Sequence, residues 1–326
     1  MSPRITFKQS RWSIQQCLRA SYVNSRSSSS CSGKATTFPV EESSRALRHL
    51  EFVKPMNFEK GLKIQEHFVR AQLDMKHLTS KIDRKLRELE VEHPGAVINE
   101  HEELILKNIL QMKPNPVVLT FEFDPTYTGG KRSKKDVTPE EIAIFESFVP
   151  KTQIDNPPPR FVQAERGGQV TFHGPGQVVA YVILDLKSFN AFPAKCLVSA
   201  IEDSTISTLR KVPGGQNGTA LGLEARKTSE TGVWINEEEK IASIGIHVRR
   251  SITSHGVCIN VNPDLSYMNG FVMCGLQGTK ATSVLDQLPQ SSCSTHDVAV
   301  MFANELARKL GIETVERIQL DDIDID

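Results

Sequence analysis

The stretch GVWINEEEKIASIGIHV, residues 232–248, predicts a β-hairpin. Its two ends are apolar and rich in β-branched residues, and an acidic turn (236–239) separates them. In the second half, Ile244, Ile246 and Val248 alternate with small or polar residues, which is typical of a strand with one buried face. The hairpin therefore predicts antiparallel sheet in the second half of the chain.

Outward from the hairpin, strand and helix patterns follow one another without a regular period. Further strands are predicted at 117–123, 161–165, 169–173, 178–186 and 257–261, and a loop with a basic tip at 124–136. Helices are predicted at 58–90, 138–148, 193–211 and 294–311, whereas 101–113 fits either a short helix or a buried strand. Hairpins followed by helices favour an α+β fold, with a mixed or antiparallel sheet flanked by helices.

Composition excludes some classes of protein. The chain has 326 residues, 39 basic and 39 acidic, so nothing indicates a broad nucleic-acid-binding surface. Its hydrophobic content of 39% suits a globular core. The longest apolar run, near 178–186, has the length of a strand, and a transmembrane span is not expected.

The first 40 residues differ from the rest. They contain six Lys or Arg, no Asp or Glu, and the serine run Ser27 to Ser30. This composition without a continuous apolar region is typical of an organellar transit peptide, although a basic tail without a targeting role has the same features. We predict a mitochondrial leader over 1–45 and a single catalytic domain over 46–326.

Cys274, in the segment FVMCG at 271–275, is a candidate nucleophile. A thiolate accepts and releases acyl groups readily, but an ordinary thiol is only a few per cent ionised at neutral pH. Such a cysteine needs a nearby cation, base or helix N-terminus. Lys240 is one candidate: its ammonium favours the thiolate if it lies beside Cys274, and as a surface residue it would instead pair with Glu238 or Glu239.

The histidines offer alternative roles for the thiol. His173 or His255 would activate it as a Cys–His pair. A zinc site built from His173, His255, Cys258 and Cys274 is a weaker hypothesis, because no two of these residues have the spacing typical of metal ligands.

A second candidate region is RGGQVTFHGPGQ, residues 166–177. Its glycines bracket a short strand, which leaves backbone that a ligand can approach closely, although such glycines also occur in ordinary turns. By the period of two, Thr171 and His173 share one face, and Val170 and Phe172 share the other. It is not a phosphate-binding loop of the G-x-x-x-x-G-K-[ST] type.

The order of four motifs resembles that of the octanoyltransferase family, the lipoyl/octanoyl-[acyl-carrier-protein]-protein N-transferases. The match covers roughly residues 115–290 and is dense over 160–285. The motifs are RGGQVTFHGPGQ (166–177), KIASIGIHVRR (240–250), SHGVCINVN (254–262) and MCG (273–275).

The resemblance implies roles for individual residues. Cys274 matches the acyl-thioester nucleophile, and Lys240 matches the lysine that lowers its pKa. Met273 stands where the family usually has proline. The segments that match the lining of the acyl-substrate pocket are Arg166, Gly167, Gly168, Gln169, Val170, Thr171, Phe172 and His173, then Ser243, Ile244 and Gly245, and then Gly256, Val257 and Cys258.

The resemblance also implies a fold and an activity. The fold is that of the biotin and lipoate protein ligase catalytic domain. The activity is transfer of an octanoyl group from octanoyl-acyl carrier protein, through a Cys274 thioester, to a lysine amine of lipoyl domains of 2-oxoacid dehydrogenase E2 subunits or of the glycine-cleavage H protein, in the mitochondrial matrix. No metal or other cofactor is implied beyond the phosphopantetheine of the carrier. An ATP-dependent lipoate-protein ligase of the same fold is the alternative.

Overall fold

The computed structural model describes residues 37–94, 99–152, 155–270 and 278–321. The strands are β1 (Ala46–Phe52), β2 (Val117–Phe121), β3 (Thr126–Gly129), β4 (Arg160–Gln163), β5 (Thr171–His173), β6 (Gln177–Ile183), β7 (Val233–Trp234), β8 (Glu239–Arg249), β9 (Ile252–Asn260), β10 (Lys280–Ala281) and β11 (Thr314–Leu320). The α-helices are α1 (Phe58–Glu92), α2 (Glu100–Gln111), α3 (Pro139–Glu146), α4 (Ala194–Lys211), α5 (Ser266–Asn269), α6 (Val284–Gln287) and α7 (Thr295–Leu310).

The larger sheet is mixed, with the strand order β10-β8-β9-β6-β2-β1-β11 and with β7 paired to β8. The pairs from β8 through β9 and β6 to β2 are antiparallel. Strand β1 is parallel to both of its neighbours, and β10 is parallel to β8. The predicted hairpin at 232–248 is therefore confirmed, and so is the α+β fold with a mixed sheet.

Helices cover both faces of this sheet, as strand β6 makes clear. Val178, Ala180 and Val182 enter the core beneath α4 and α7, whereas Val179, Tyr181 and Ile183 enter the core beneath α1. Each residue of β6 is buried, because neither face of the strand meets solvent. The run at 178–184 is apolar throughout for this reason.

Local signals explain the ends of the helices. Asn99 and Glu102 form a capping box at the start of α2, and this decides the ambiguous stretch 101–113 in favour of a helix. Ser294 and Asp297 form the same motif at α7. Gly311 ends α7 in the left-handed conformation, with φ of 68°.

The smaller sheet has the order β4-β3-β5. Its strand β3 lies inside the predicted loop 124–136, so that prediction is wrong for Thr126–Gly129. Pro125 and the glycines at 129–130 look like turn residues in the sequence. Because β4 and β5 pair with β3 from both sides, its four residues are all buried.

The N-terminal boundary needs a correction. Residues 38–45, which the sequence assigned to the leader, are hydrogen-bonded to the domain: Val40 N donates to Ser188 O, and Asn190 N donates to Phe38 O. They therefore belong to the folded unit. In the part of the chain that the structure describes, no helix has both the length and the apolar character needed to cross a bilayer.

Replacement of Phe302 tests the main core. Phe302 lies on α7 and is fully buried. Because Phe302→Ala leaves a cavity, it is expected to lower the free energy of unfolding by about 3–5 kcal/mol in urea titrations. The control Ile144→Ala removes a side chain that is 66% exposed, and its effect should stay below about 0.5 kcal/mol. Equal effects of the two substitutions would contradict the packing described here.

Candidate active site

A cavity of about 270 Å³ lies where β8, β9, β5, the 166–169 loop and the start of α1 converge. Most of the residues singled out in the sequence line it together. These are Arg166, Gly167, Gly168, Gln169, Thr171, His173, Lys240, Ser243, Ile244, Gly245, Gly256, Val257 and Cys258. Three segments that are far apart in the sequence, 166–173, 240–245 and 256–258, therefore form one concave surface.

Val170 and Phe172 do not line this cavity. Phe172 turns to the other side of β5, where its ring stacks on Tyr267 at a centroid distance of 4.3 Å and packs against Tyr127. The predicted division of β5 into two faces is thus confirmed. Because Phe172 fills a separate aromatic core, we assign it a packing role and not a place in the pocket lining.

Cys274 lies outside the described residues, as does Met273. The described residues on either side of this segment meet beside β8. Asn269 exchanges hydrogen bonds with Ala281, donating from Nδ2 at 3.1 Å and accepting at Oδ1 at 2.7 Å. Strand β10 then pairs Lys280 with Glu239 and Ala281 with Lys240. The described residues that flank the segment 271–277 therefore lie next to β8, the strand that carries Lys240.

Lys240 is a buried lysine, only 4% exposed. Glu239, one of the two partners expected for a surface lysine, forms an ion pair with Lys280 instead, with an N–O distance of 2.8 Å. Among the described residues, no carboxylate forms an ion pair with Lys240 Nζ. The interpretation of Lys240 as a solvated hairpin lysine is therefore wrong, and its positive charge lines the cavity.

The Arg166 side chain braces the loop to which it belongs. Its Nη2 donates to the carbonyl oxygen of Thr128 at 2.6 Å and to Thr128 Oγ1 at 2.7 Å. Its Nη1 donates to the carbonyls of Gly167 and Gln169, at 3.1 and 2.9 Å. Since these contacts tie the loop to β3, Arg166 shapes the cavity wall by holding backbone in place.

Two glycines are required where this loop packs against β8 and against the end of β3. Gly167 N donates to Ile246 O at 3.1 Å, which brings the loop against the strand. A Cβ on Gly245 would lie 2.9 Å from Gly167 O, and one on Gly130 would lie 2.2 Å from Gly168 O. Gly245 and Gly130 therefore serve close backbone approach, whereas Gly168 is required by its φ of 94°.

The histidines of the cavity are buried and neutral. Burial, and then the charge of Arg166, lowers the pKa of His255 to about 3. Burial also lowers the pKa of His173 well below its ordinary value, and its ring stacks on Phe58 at 5.2 Å. Among the described residues, His173 Nδ1 and Tyr181 Oη have no hydrogen-bond partner, so both are available to a polar atom of a bound molecule.

The part of the chain that the structure describes contains no group of three or more His, Cys, Asp or Glu side chains arranged to hold a metal ion.

Several residues that line the cavity were not predicted from the sequence, because they come from distant elements. They are Phe58, Arg132, Val179, Tyr181, Val198, Glu230, Thr231 and Ile246. Their sequence patterns are those of ordinary helices, strands and turns, and only the folded chain brings them to the cavity.

Comparison with known proteins identifies the class. A sequence model of the lipoyl protein ligase A/B catalytic domain matches residues 96–307. The bi-partite lipoate protein ligase of Thermoplasma acidophilum has a similar fold, with a TM-score of 0.50 over 84% of this chain and 86% of that chain, at 13% identity. This likeness agrees with the predicted ligase-type α+β fold.

Two yeast relatives are much closer in sequence. The mitochondrial octanoyltransferase of Kluyveromyces lactis is 59% identical over 305 residues, which cover 93% of this chain and 92% of the relative. That of Saccharomyces cerevisiae is 57% identical over 295 residues, 90% of each chain. The chain belongs to the octanoyltransferase family and is an acyltransferase. The names of both relatives support a mitochondrial location.

The low pKa of His255 has a consequence for stability. Its ordinary pKa is 6.5 and its folded pKa is about 3, so between these values the unfolded chain binds a proton that the folded chain does not. Burial of neutral His255 therefore costs no stability above pH 6.5. As the pH falls from 6.5 towards 3, the free energy of unfolding decreases by about 1.4 kcal/mol per pH unit.

We therefore expect His255→Asn to lose less stability on acidification than the parent protein, in urea titrations between pH 6.5 and 4.5. Asn suits this position because His255 has a φ of 58°. The control His67→Asn, at an exposed site, should retain the parental pH dependence. Parallel pH dependences for His255→Asn and the parent would refute the assignment.

Proposed function

We propose that this octanoyltransferase takes its acyl group from octanoyl-acyl carrier protein and carries it as a thioester on Cys274. The acceptor is a lysine ε-amine on lipoyl domains of 2-oxoacid dehydrogenase E2 subunits and on the glycine-cleavage H protein, within the mitochondrial matrix. The product is an octanoyl amide, the precursor of protein-bound lipoate.

One observation supports this mechanism more than any other. Lys240 is buried in the cavity and has no carboxylate partner among the described residues. A buried ammonium without a counter-charge is costly, so it calls for an anion. Five residues lie between Cys274 and Lys280, which pairs with the neighbour of Lys240, and a thiolate at Cys274 would supply this anion.

The first half-reaction follows from this pairing. The Lys240 ammonium lowers the pKa of the Cys274 thiol, and the thiolate sulfur attacks the thioester carbon of the donor. A new C–S bond forms to Cys274, and the C–S bond to the carrier breaks. The departing carrier thiolate takes a proton from Lys240, which leaves the lysine neutral.

The second half-reaction restores the enzyme. The neutral amine of the acceptor lysine attacks the Cys274 thioester, so a C–N bond forms and the C–S bond breaks. Neutral Lys240 accepts the proton that the amine loses, and the ion pair with the thiolate is regenerated. In both steps backbone N–H groups of 166–173 or of 243–245 would hold the oxyanion.

The cavity wall suits a short fatty chain. Its apolar members include Phe58, Val179, Val257 and Ile246, and its histidines are neutral. Its volume of about 270 Å³ lies just below the usual range for small-molecule sites, which suits an eight-carbon chain. In this proposal neither a metal nor ATP takes part, and the only prosthetic group is the phosphopantetheine of the carrier.

Intact-protein mass spectrometry tests the covalent step. Incubation with octanoyl-acyl carrier protein is expected to add one octanoyl group to the protein, and Cys274→Ala is expected to abolish this adduct. Cys258→Ala is the matched control, because it removes another cavity thiol and should leave the adduct in place. An adduct that persists in Cys274→Ala would reject the nucleophile.

Transfer to an apo-lipoyl domain separates the proposal from a ligase. The octanoyl amide should form from the acylated carrier without ATP, and addition of ATP with free octanoate should not replace the carrier. If free acid and ATP suffice, and Cys274→Ala remains active, the chain acts instead as a ligase.

Removal of the lysine charge tests its role. In Lys240→Met the pKa of the Cys274 thiol should rise towards the ordinary value of about 8.5, since a charge pair of this kind shifts a pKa by about one to two units. The rate of alkylation by iodoacetamide against pH, followed at Cys274 by peptide mass spectrometry, measures this pKa. An unchanged profile would remove Lys240 from the mechanism.

A further inference from the structure

Trp234 is held rigidly next to Lys240. It is 1% exposed, and its backbone exchanges two hydrogen bonds with Arg226, at 2.7 and 2.9 Å. Its indole Nε1 donates to Glu230 O at 3.2 Å. Because backbone and ring are both anchored, the indole has one orientation.

An irregularity in strand pairing brings this ring to the lysine. Between β7 and β8, Val233 pairs with Ala242, but Trp234 pairs with Lys240, so the register shifts by one residue. Such a bulge redirects side chains and is common beside active sites. It sets Trp234 directly opposite Lys240, whose Nζ lies 5.0 Å from the centroid of the indole.

Gly232 provides the space for the lysine chain. A Cβ at this position would lie 2.5 Å from Lys240 Cε and 3.2 Å from Nζ. The φ of Gly232 is 132°, which side chains other than glycine rarely adopt. The same Cβ would lie 2.7 Å from the backbone oxygen of Ala242, so any residue but glycine would displace the end of the lysine, the pairing of β7 with β8, or both.

We infer that Trp234 and Gly232 are positioning residues that hold Lys240 charged and in one place, an inference that rests on the proposed role of Lys240. The face of an indole attracts a cation through its quadrupole. Unlike a carboxylate, it carries no net negative charge. The positive charge of the ammonium therefore stays available to the thiolate and is not cancelled by a protein anion.

The titration of Lys240 measures this role directly. Protein labelled with ¹³C at lysine Cε gives one signal for Lys240, which is assigned by its loss in Lys240→Met. Trp234→Leu is expected to lower the midpoint of this signal by about one pH unit, since the charged form loses the indole. Trp234→Phe, which retains an aromatic face, should give a smaller shift.

Two further variants protect the experiment against unfolding. Phe192→Leu also replaces a buried aromatic residue, in the core beneath α4 and α7, and should leave the Lys240 midpoint unchanged. Gly232→Ala keeps Trp234 but displaces the ammonium from it, and should likewise lower the midpoint. Thermal denaturation establishes which variants are folded at the temperature of the titration.

The dependence of the octanoyl-transfer rate on pH tests whether this positioning affects activity. In Trp234→Leu the alkaline limb of the profile should move to lower pH by the same amount as the lysine midpoint, whereas a purely structural role would lower the rate without moving the limb. An unshifted lysine midpoint in folded Trp234→Leu and Gly232→Ala overturns the inference. If the midpoint shifts but the parent protein transfers no octanoyl group, the positioning stands and the proposed function fails.

Discussion

The pairing of β8 with β9 is the constraint on which the rest of the molecule depends. Eight residue pairs from Ala242–Ile259 to Arg249–Ile252 join the two strands in register. At Lys240, β7 and β10 pair with β8 from opposite edges, and the backbone of the 166–168 loop hydrogen-bonds to β8 at Ile246. One strand thus fixes the positions of the lysine, of the glycine-rich loop and of both ends of the segment that bears Cys274.

Electrostatics distinguish this site from an ordinary apolar cavity. Lys240 is buried without a carboxylate partner among the described residues, whereas the cavity histidines are buried and neutral, because the low dielectric and the guanidinium of Arg166 both oppose a positive charge on them. Since a neutral histidine offers no positive charge, Lys240 is a better candidate than a histidine for the cation that favours a thiolate. The indole of Trp234 stabilises the ammonium without neutralising it.

Much of the fold could be predicted from local pattern. The hairpin, the central strand β6 and the helices α1, α4 and α7 have strong periodicity or clear end signals, such as Gly311 and the capping box at Ser294. Strands β1, β3, β10 and β11 escaped prediction. Strand β11 is mostly exposed and polar, so its sequence lacks the pattern of a buried strand and only pairing with β1 makes it one.

The family and most of the residues that share the cavity could be read from the sequence, because the chemistry of thiol, lysine and close-approach glycines requires particular residue types at particular positions. Tertiary structure alone decided that Phe172 belongs to an aromatic core, that Lys240 is buried without a carboxylate, and that Trp234 faces its ammonium. The reason is physical: burial, charge pairing and a one-residue shift in register arise between distant segments, and no local pattern encodes them.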